Sequence, residues 1–265
     1  MNYLSTSKNK IQNKDNYRGF YWDPSSGEID VACLEGVGAV INLAGANIFQ
    51  PWTKAAKARI LNSRLNSLNT LYKILLENEH EVGHLLSASA IGIYPSSLQK
   101  MHFEDEKAVD DSFLGEVTKK WEAAADRFRD LEIRVSKVRI GLVLSDKGGA
   151  LAQMKKPIKY NMGAALGSGK QWQSWIHVED LARIFLYILK NGLSGVYNAV
   201  APNPVTNSTL TQQLAKTMGK DIWLPNVPAF ALKLLMGEMS TIILSSQLVS
   251  SKKIREAGFS FHYIN

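Results

Sequence analysis

Residues 38–44, GAVINLA, form a short, nearly unbroken apolar run. Directly after it Trp52, Ala56, Ile60, Leu61, Leu65, Leu68, Leu71, Leu75 and Leu76 recur at spacings near three and four. The first pattern suits a strand buried on both faces and the second an amphipathic helix. The same order returns along the chain. HLLSASA at 84–90 reads as a strand, and 113–128 carries Leu114, Val117, Trp121, Ala124 and Ala125 at helical spacing. IRVSKVRIGLVL at 133–144, rich in β-branched residues, reads as a single third strand. EDLARIFLYILKN at 179–191 is helical and GVYNAVA at 195–201 is one more strand. Strands alternating with helices imply an α/β fold, a parallel sheet with helices on both faces.

Beyond residue 201 the pattern changes. Pro202, Pro204, Pro225 and Pro228 punctuate the chain, Asn207 stands where an N-cap belongs, and Gly219 where that helix should stop. The expected organisation is a sheet domain over 1–150, rejoined by 178–201, and a small, mainly helical C-terminal lobe over 202–265. With 45% hydrophobic and 21% charged residues, the chain has the composition of a globular rather than a disordered protein. No apolar stretch approaches the roughly 18 residues that span a bilayer, and the polar start lacks a signal-peptide core. The expectation is therefore a cytoplasmic or organelle-matrix protein with no membrane partner. Cys33 is the only cysteine, which excludes an internal disulfide and a thiolate-rich metal site and leaves it to packing. The net charge of +7 favours an anionic partner, but the basic residues are scattered and no aromatic-interleaved RNA-binding pattern accompanies them. A solvated surface, with no nucleic-acid partner, is the expectation.

Four motifs invite chemical readings. His80-Glu81-Val82-Gly83-His84 matches the HExxH pattern of zinc proteases, but Gly83 and the strand-like LLSASA argue against the continuous helix that pattern needs, so no metal site is expected. GAALGSGK at 163–170 misses the P-loop spacing by one residue and lacks the hydroxyl after its lysine. Ser87, Ser89 and Tyr94 lie at the carboxyl end of the second strand, where ligands bind in open parallel sheets, so Ser89 and Tyr94 are candidate catalytic groups. His177 and Asp180 could be written as an acid/base pair; Asp180 reads more simply as an acid in a helix's first turn, with His177 stabilising the turn before it.

Taken together, WDPSSGEID, INLAGANIFQPWTKAAKARILNSRLNS, SASAIGIY, VTKKWEAAA, RIGLVLSDKGGAL, LGSGKQWQSWIHVEDLARI and APNPVTN resemble the epimerase family branch of atypical short-chain dehydrogenases/reductases, sugar-nucleotide-epimerase-like NADP-dependent oxidoreductases. The resemblance runs from about Leu4 to the end. It implies a Rossmann-like domain with a small C-terminal lobe, NADP as cofactor and an unassigned small-molecule substrate. It also implies that Ser5 and Thr6 end a strand facing the adenosine phosphate, that Leu43, Ala44 and Arg64 adjoin the cofactor, and that Val143 offers a backbone contact near the nicotinamide.

The chain departs from that pattern in two places. The YxxxK pair of the wider superfamily would fall near Phe113 or Leu114 and Val117 or Thr118, which carry neither phenol nor ammonium. Residues 1–30 contain only Gly19 and Gly27, without the strand, glycine-rich turn and helix that hold a pyrophosphate, and no other glycine cluster is expected to follow a strand and open a helix. The expectation is an N-terminally truncated Rossmann-like sheet, a family member that binds NADPH weakly and is inactive as given. The alternative is a non-catalytic remnant that binds a partner.

Overall fold

The computed structural model describes all 265 residues. Its central sheet has four parallel strands, β3 (Ala39–Asn42), β4 (His84–Ala90), β5 (Arg134–Ile140) and β8 (Gly195–Ala199), in the spatial order β8-β5-β4-β3. A separate sheet pairs β1 (Asn2–Ser5) in parallel with β2 (Tyr17–Asp23), and short antiparallel pieces at Asn13–Lys14 and Glu28–Ile29 flank β2. Both sheets feed one core, in which Trp22, Cys33 and Leu34 join Leu68, Leu71, Leu85, Phe128 and Ile184.

The helices form where the apolar stripes and caps coincide. α1 (Lys54–Glu77) starts where the Thr53 side chain accepts from the Ala56 N–H, and it buries Ala56, Ile60, Leu68, Leu71, Ile74 and Leu75. α2 (Phe113–Asp126) is capped by Ser112, and α4 (Val178–Lys190) by His177, whose ring accepts from the Glu179 N–H. Ser87, Ser89, Lys137 and Arg139 turn toward α2; the alternate residues Leu86, Ala88 and Val138 turn to the opposite face, against which α4 packs. The expected α/β layering, with a Rossmann-like parallel sheet and a helical C-terminal lobe, is the observed architecture.

Three local expectations are corrected. The strand expected over 133–144 is two strands. β5 ends at Ile140, and after Gly141 the chain leaves the central sheet as β6 (Leu142–Ser145), which pairs with β7 (Trp175–His177). Gly141 permits the step, since a Cβ there would lie 2.2 Å from the Ser174 carbonyl oxygen and 2.8 Å from a Val200 methyl. The helix α5 (Asn207–Thr217) is capped by Thr206, not Asn207; the Asn207 amide oxygen instead accepts from the Leu166 N–H. A glycine pair does follow a strand and open a helix: Gly148 and Gly149 lead from β6 into α3 (Gly149–Lys159), but they fold back in antiparallel bridges to Ser145 and Leu144. The HExxH residues lie on no common helix face, because 78–83 is irregular and His84 opens β4.

Each sheet ends on a strand with one open edge, β1 in one and β3 in the other. The apolar run of β3 is not buried on both faces as expected, because Ile41 is 39% and Leu43 64% exposed. An open, apolar strand edge templates intermolecular pairing. Static light scattering should accordingly show concentration-dependent association, reduced in Ile41→Lys at an unchanged unfolding midpoint; equal scattering from both chains would reject the edge as its cause.

Two buried histidines give the fold an acid limit. His84 hydrogen-bonds the Ser136 hydroxyl at 2.8 Å, while the ring of His102 stacks on Tyr94 at 5.1 Å with no hydrogen-bond partner for either nitrogen. Burial lowers both below the ordinary value of 6.5, with the Arg134 charge adding to the effect at His84 and Glu106 opposing it at His102. The unfolded rings therefore take up protons first, so stability is held above 6.5 and lost as the pH falls toward the lower folded values. Urea midpoints should drop between about pH 7 and pH 5, and the slope should flatten in His102→Phe.

Candidate functional site

In an open parallel sheet the carboxyl ends of the strands form the ligand-binding edge, because the connections to the helices diverge there. At the end of β3 the buried Asn42 turns the chain: its amide oxygen accepts from the Ala44 N–H at 3.2 Å and its amide nitrogen donates to the Ser67 hydroxyl at 3.3 Å. Leu43, Ala44 and Gly45 project from that turn. One helix holds it, since the Ala46 N–H donates to the Ser63 hydroxyl at 2.8 Å and Arg64 donates to the Ala46 and Ile60 carbonyls at 3.2 and 2.9 Å. The Arg64 guanidinium also lies over Trp121, 5.0 Å from the ring, and a Cβ on Gly45 would meet it at 3.1 Å. Arg64 thus braces the turn from behind, and burial lowers its pKa.

A buried polar line runs under the next strand ends. Ser89, Arg139 and Asn198 are cross-strand partners on β4, β5 and β8. Arg139 donates to both carboxylate oxygens of Glu122 on α2, at 2.8 and 3.0 Å, and to the Tyr94 phenol at 2.9 Å. The Ser89 hydroxyl donates to Glu122 at 2.6 Å, and the Tyr94 phenol donates to Asn198 at 2.7 Å. Lys137, two residues before Arg139, donates to Asp126 at 2.7 Å and lies 3.6 Å from Glu122. Burial would raise the Glu122 carboxyl, but hydrogen bonds and charge from Arg139 outweigh it and hold it below the usual range. Burial pushes the Tyr94 phenol up to about 12, against the opposing Arg139 charge.

This geometry gives the two candidate catalytic groups a different occupation. Ser89 is 2% and Tyr94 0% exposed, and both hydroxyls are spent on buried partners. A phenol held near 12 is a poor proton donor at neutral pH. On the solvent side, the mouth of the site is built from α1 and α2. Trp52 packs edge-on against Phe113 at 5.0 Å, Lys57 lies 5.2 Å from the Phe113 ring, and Lys57 also pairs with Glu238 of the C-terminal lobe. Thr118 spends its hydroxyl on the Leu114 carbonyl.

The remaining sites inferred from the sequence are spread around this edge. Val143 pairs with Ile176 beyond β5 and is partly buried against the core. Ser5 ends β1 in the other sheet, where its hydroxyl donates to the Ser7 carbonyl at 3.0 Å; Thr6 is exposed, and Lys8 lies 4.7 Å from the Tyr21 ring. His177, expected to stabilise the turn before α4, is that helix's N-cap and stacks on Tyr263 at 3.6 Å. Asp180 does more than offset a dipole: fully buried, it accepts from the His262 and Tyr263 N–H groups and fastens the chain's end to α4. Two surface depressions lie elsewhere, one of about 540 Å³ between Asn13 and Glu35 and one of about 450 Å³ at the amino ends of β5 and β8. Both are shallow and polar, and strand-end geometry outweighs them as a guide to the site. The Glu122 network had a sequence signal: two cations at alternate positions of a core strand need a buried anion.

Removing that anion tests the arrangement. Glu122→Ala would leave Arg139 and Lys137 buried beside one another, and denaturant unfolding should show a loss of about 3–5 kcal/mol. A loss under about 1 kcal/mol would mean that water already screens the pair.

Comparison with known proteins follows this geometry. Residues 146–199 match the NAD dependent epimerase/dehydratase family, and 227–265 match a domain of unknown function, DUF1731. The chain is 37% identical over 265 residues to an epimerase family protein of Staphylococcus aureus strain MRSA252, covering 99% of this chain and 87% of that one. It is 39% identical over 224 residues to the epimerase family protein YfhF of Bacillus subtilis, covering 84% and 73%. Among solved structures it is similar to the human epimerase family protein SDR39U1, isoform 2, crystallised with NADPH: TM-score 0.83, 27% identity, 99% of this chain and 86% of that one. The UDP-N-acetylglucosamine 4-epimerase of Bacillus cereus shares the fold at TM-score 0.73 and 17% identity, over 99% and 85%.

Proposed function

Because the chain belongs to the epimerase family, we propose that it is an oxidoreductase- or epimerase-type protein whose nicotinamide cofactor, NADP, lies across the carboxyl ends of β1, β3 and β5. The observation that carries this reading is the turn after β3. Leu43, Ala44 and Gly45 offer small or apolar side chains and approachable backbone at the ligand-binding edge, and Ser63, Arg64 and Ser67 fix the turn in place. Ser5, Thr6 and Lys8 at the end of β1 suit an adenosine phosphate, because hydroxyls and an ammonium complement an anion. Val143 offers backbone beside the nicotinamide end.

The residues present fit the two ends of such a cofactor better than its middle. Neither β1 nor β3 leads through a glycine turn into a helix N-terminus: β1 runs into Lys8–Lys10, and eleven residues separate β3 from α1. The pyrophosphate then lacks the cradle of backbone N–H groups that this fold uses.

When bound, the cofactor would supply or accept hydride. The chain's own residues would bind its ends, brace the turn through Arg64, and hold the floor rigid through Glu122 and Arg139. The Phe113 or Leu114 and Val117 or Thr118 positions of α2 carry neither the phenol nor the ammonium of the wider superfamily's proton-transfer pair. A second reading, a non-catalytic protein that binds a partner, is favoured by the open edges of β1 and β3.

Titration with NADPH, followed by fluorescence, separates the two. The cofactor reading expects saturable binding with a Kd weaker than about 100 μM, further weakened about tenfold or more by Leu43→Asp, a change at an exposed position. Absence of saturation at millimolar NADPH selects the second reading. Low-micromolar binding would show that the pyrophosphate is held after all.

A further inference from the structure

Apart from Met1, the five most exposed large apolar side chains in the molecule all belong to the C-terminal lobe and the helix α3 that packs on it. They are Leu234 at 85%, Leu235 at 81%, Phe230 at 73%, Trp223 at 70% and Tyr160 at 67%. Three lie on α6 (Ala229–Met236), AFALKLLM, which buries only Leu232. Phe230 and Leu234 are each two residues from Leu232, about 200° around the helix, so they point away from the lobe. Trp223 and Tyr160 lie on two segments that pack against each other. Ile222, just before Trp223, packs on Ile158 near the end of α3, and a Cβ on Gly163 would meet it at 2.6 Å. Tyr160 and the 58% exposed Met162 close that end of α3, and Val227, bridged to Leu166, hands the chain on to α6.

Charge is concentrated on the same part of the chain. Residues 149–170 and 207–244 hold seven lysines and two acids, Asp221 and Glu238, a net of +5 out of the +7 of the whole protein. Glu238 is already paired with Lys57. Lys156, Lys159 and Lys233 are exposed beside the apolar side chains. An apolar helix face bordered by lysines and by tyrosine and tryptophan has the composition of an element lying in the plane of a membrane interface. No helix of the protein is long and apolar enough to cross a membrane, so the contact would be peripheral. The expectation of no membrane partner rested on the lack of a spanning stretch, which does not bear on such a contact.

We propose that this rim is a docking surface for an anionic lipid bilayer, with Trp223, Phe230, Leu234 and Leu235 entering the interface and the surrounding lysines facing the headgroups. Charge complementarity chooses the occupant: a second copy would set two lysine-bordered faces, on segments of net +5, against each other, which like-charge repulsion disfavours. The proposal is independent of the cofactor reading, since it uses none of the residues at the strand ends.

The test is co-sedimentation of the full chain with phosphatidylcholine vesicles, with and without about 30% phosphatidylglycerol. Partition onto the anionic vesicles should exceed that onto the neutral ones by about tenfold or more and weaken as salt rises. A shift of tryptophan emission to shorter wavelength should accompany binding and be lost in Trp223→Phe. Leu234→Glu with Leu235→Glu, both at exposed positions, should lower partition about tenfold with unchanged circular dichroism. Equal partition on the two vesicle types, or wild-type partition by the double variant, would overturn the proposal. So would a dimer dissociated by the double variant, or binding to a single-stranded oligonucleotide, in a protein that does not partition onto vesicles.

Discussion

The sheet and the candidate site depend on one buried ion pair. Arg139 sits in the middle of the central sheet, flanked in register by Ser89 and Asn198, with Glu122 reaching down from α2 to hold it bidentately. A buried guanidinium without that carboxylate would be prohibitive, so strand β5, helix α2 and the loop carrying Tyr94 assume their positions together or not at all. Such a pair is not an efficient source of stability, because desolvation consumes much of its attraction. Its effect is geometric: it fixes helix against sheet at the carboxyl end, where the floor of a site has to be rigid.

That constraint explains why the hydroxyls of Ser89 and Tyr94, near the ligand-binding edge, are engaged by buried partners. Once Arg139 is buried, its remaining donor and the second half of the Glu122 acceptor capacity need partners, and Tyr94 and Ser89 supply them. Exposure passes instead to the turn after β3, which carries apolar side chains and backbone rather than acids or bases.

The same division marks the lobe. Its lysines and exposed aromatic and aliphatic side chains lie on the segments that follow the sheet, and a single ion pair, Lys57 to Glu238, ties the lobe across the mouth of the site to α1. The strand-end edge and the lobe rim are thus separate surfaces of one molecule.

The sequence by itself determined the layering. Apolar runs such as 84–90 and stripes such as Ala56, Ile60, Leu68 and Leu71 encode strand and helix through local periodicity, and they recur in the structure within a few residues. It also determined the family, through motifs of fixed spacing. Tertiary structure alone decided where β5 ends, just before Gly141, where the close approach of the Ser174 carbonyl leaves room for no side chain. It likewise decided that Thr206 rather than Asn207 caps α5, because Asn207 is taken by Leu166, 41 residues away. The buried partners of Ser89, Tyr94 and Arg64 were likewise set by tertiary contacts. Periodicity reports which face of an element is apolar; which polar groups share that face depends on contacts between residues far apart in the chain, and no local pattern records them.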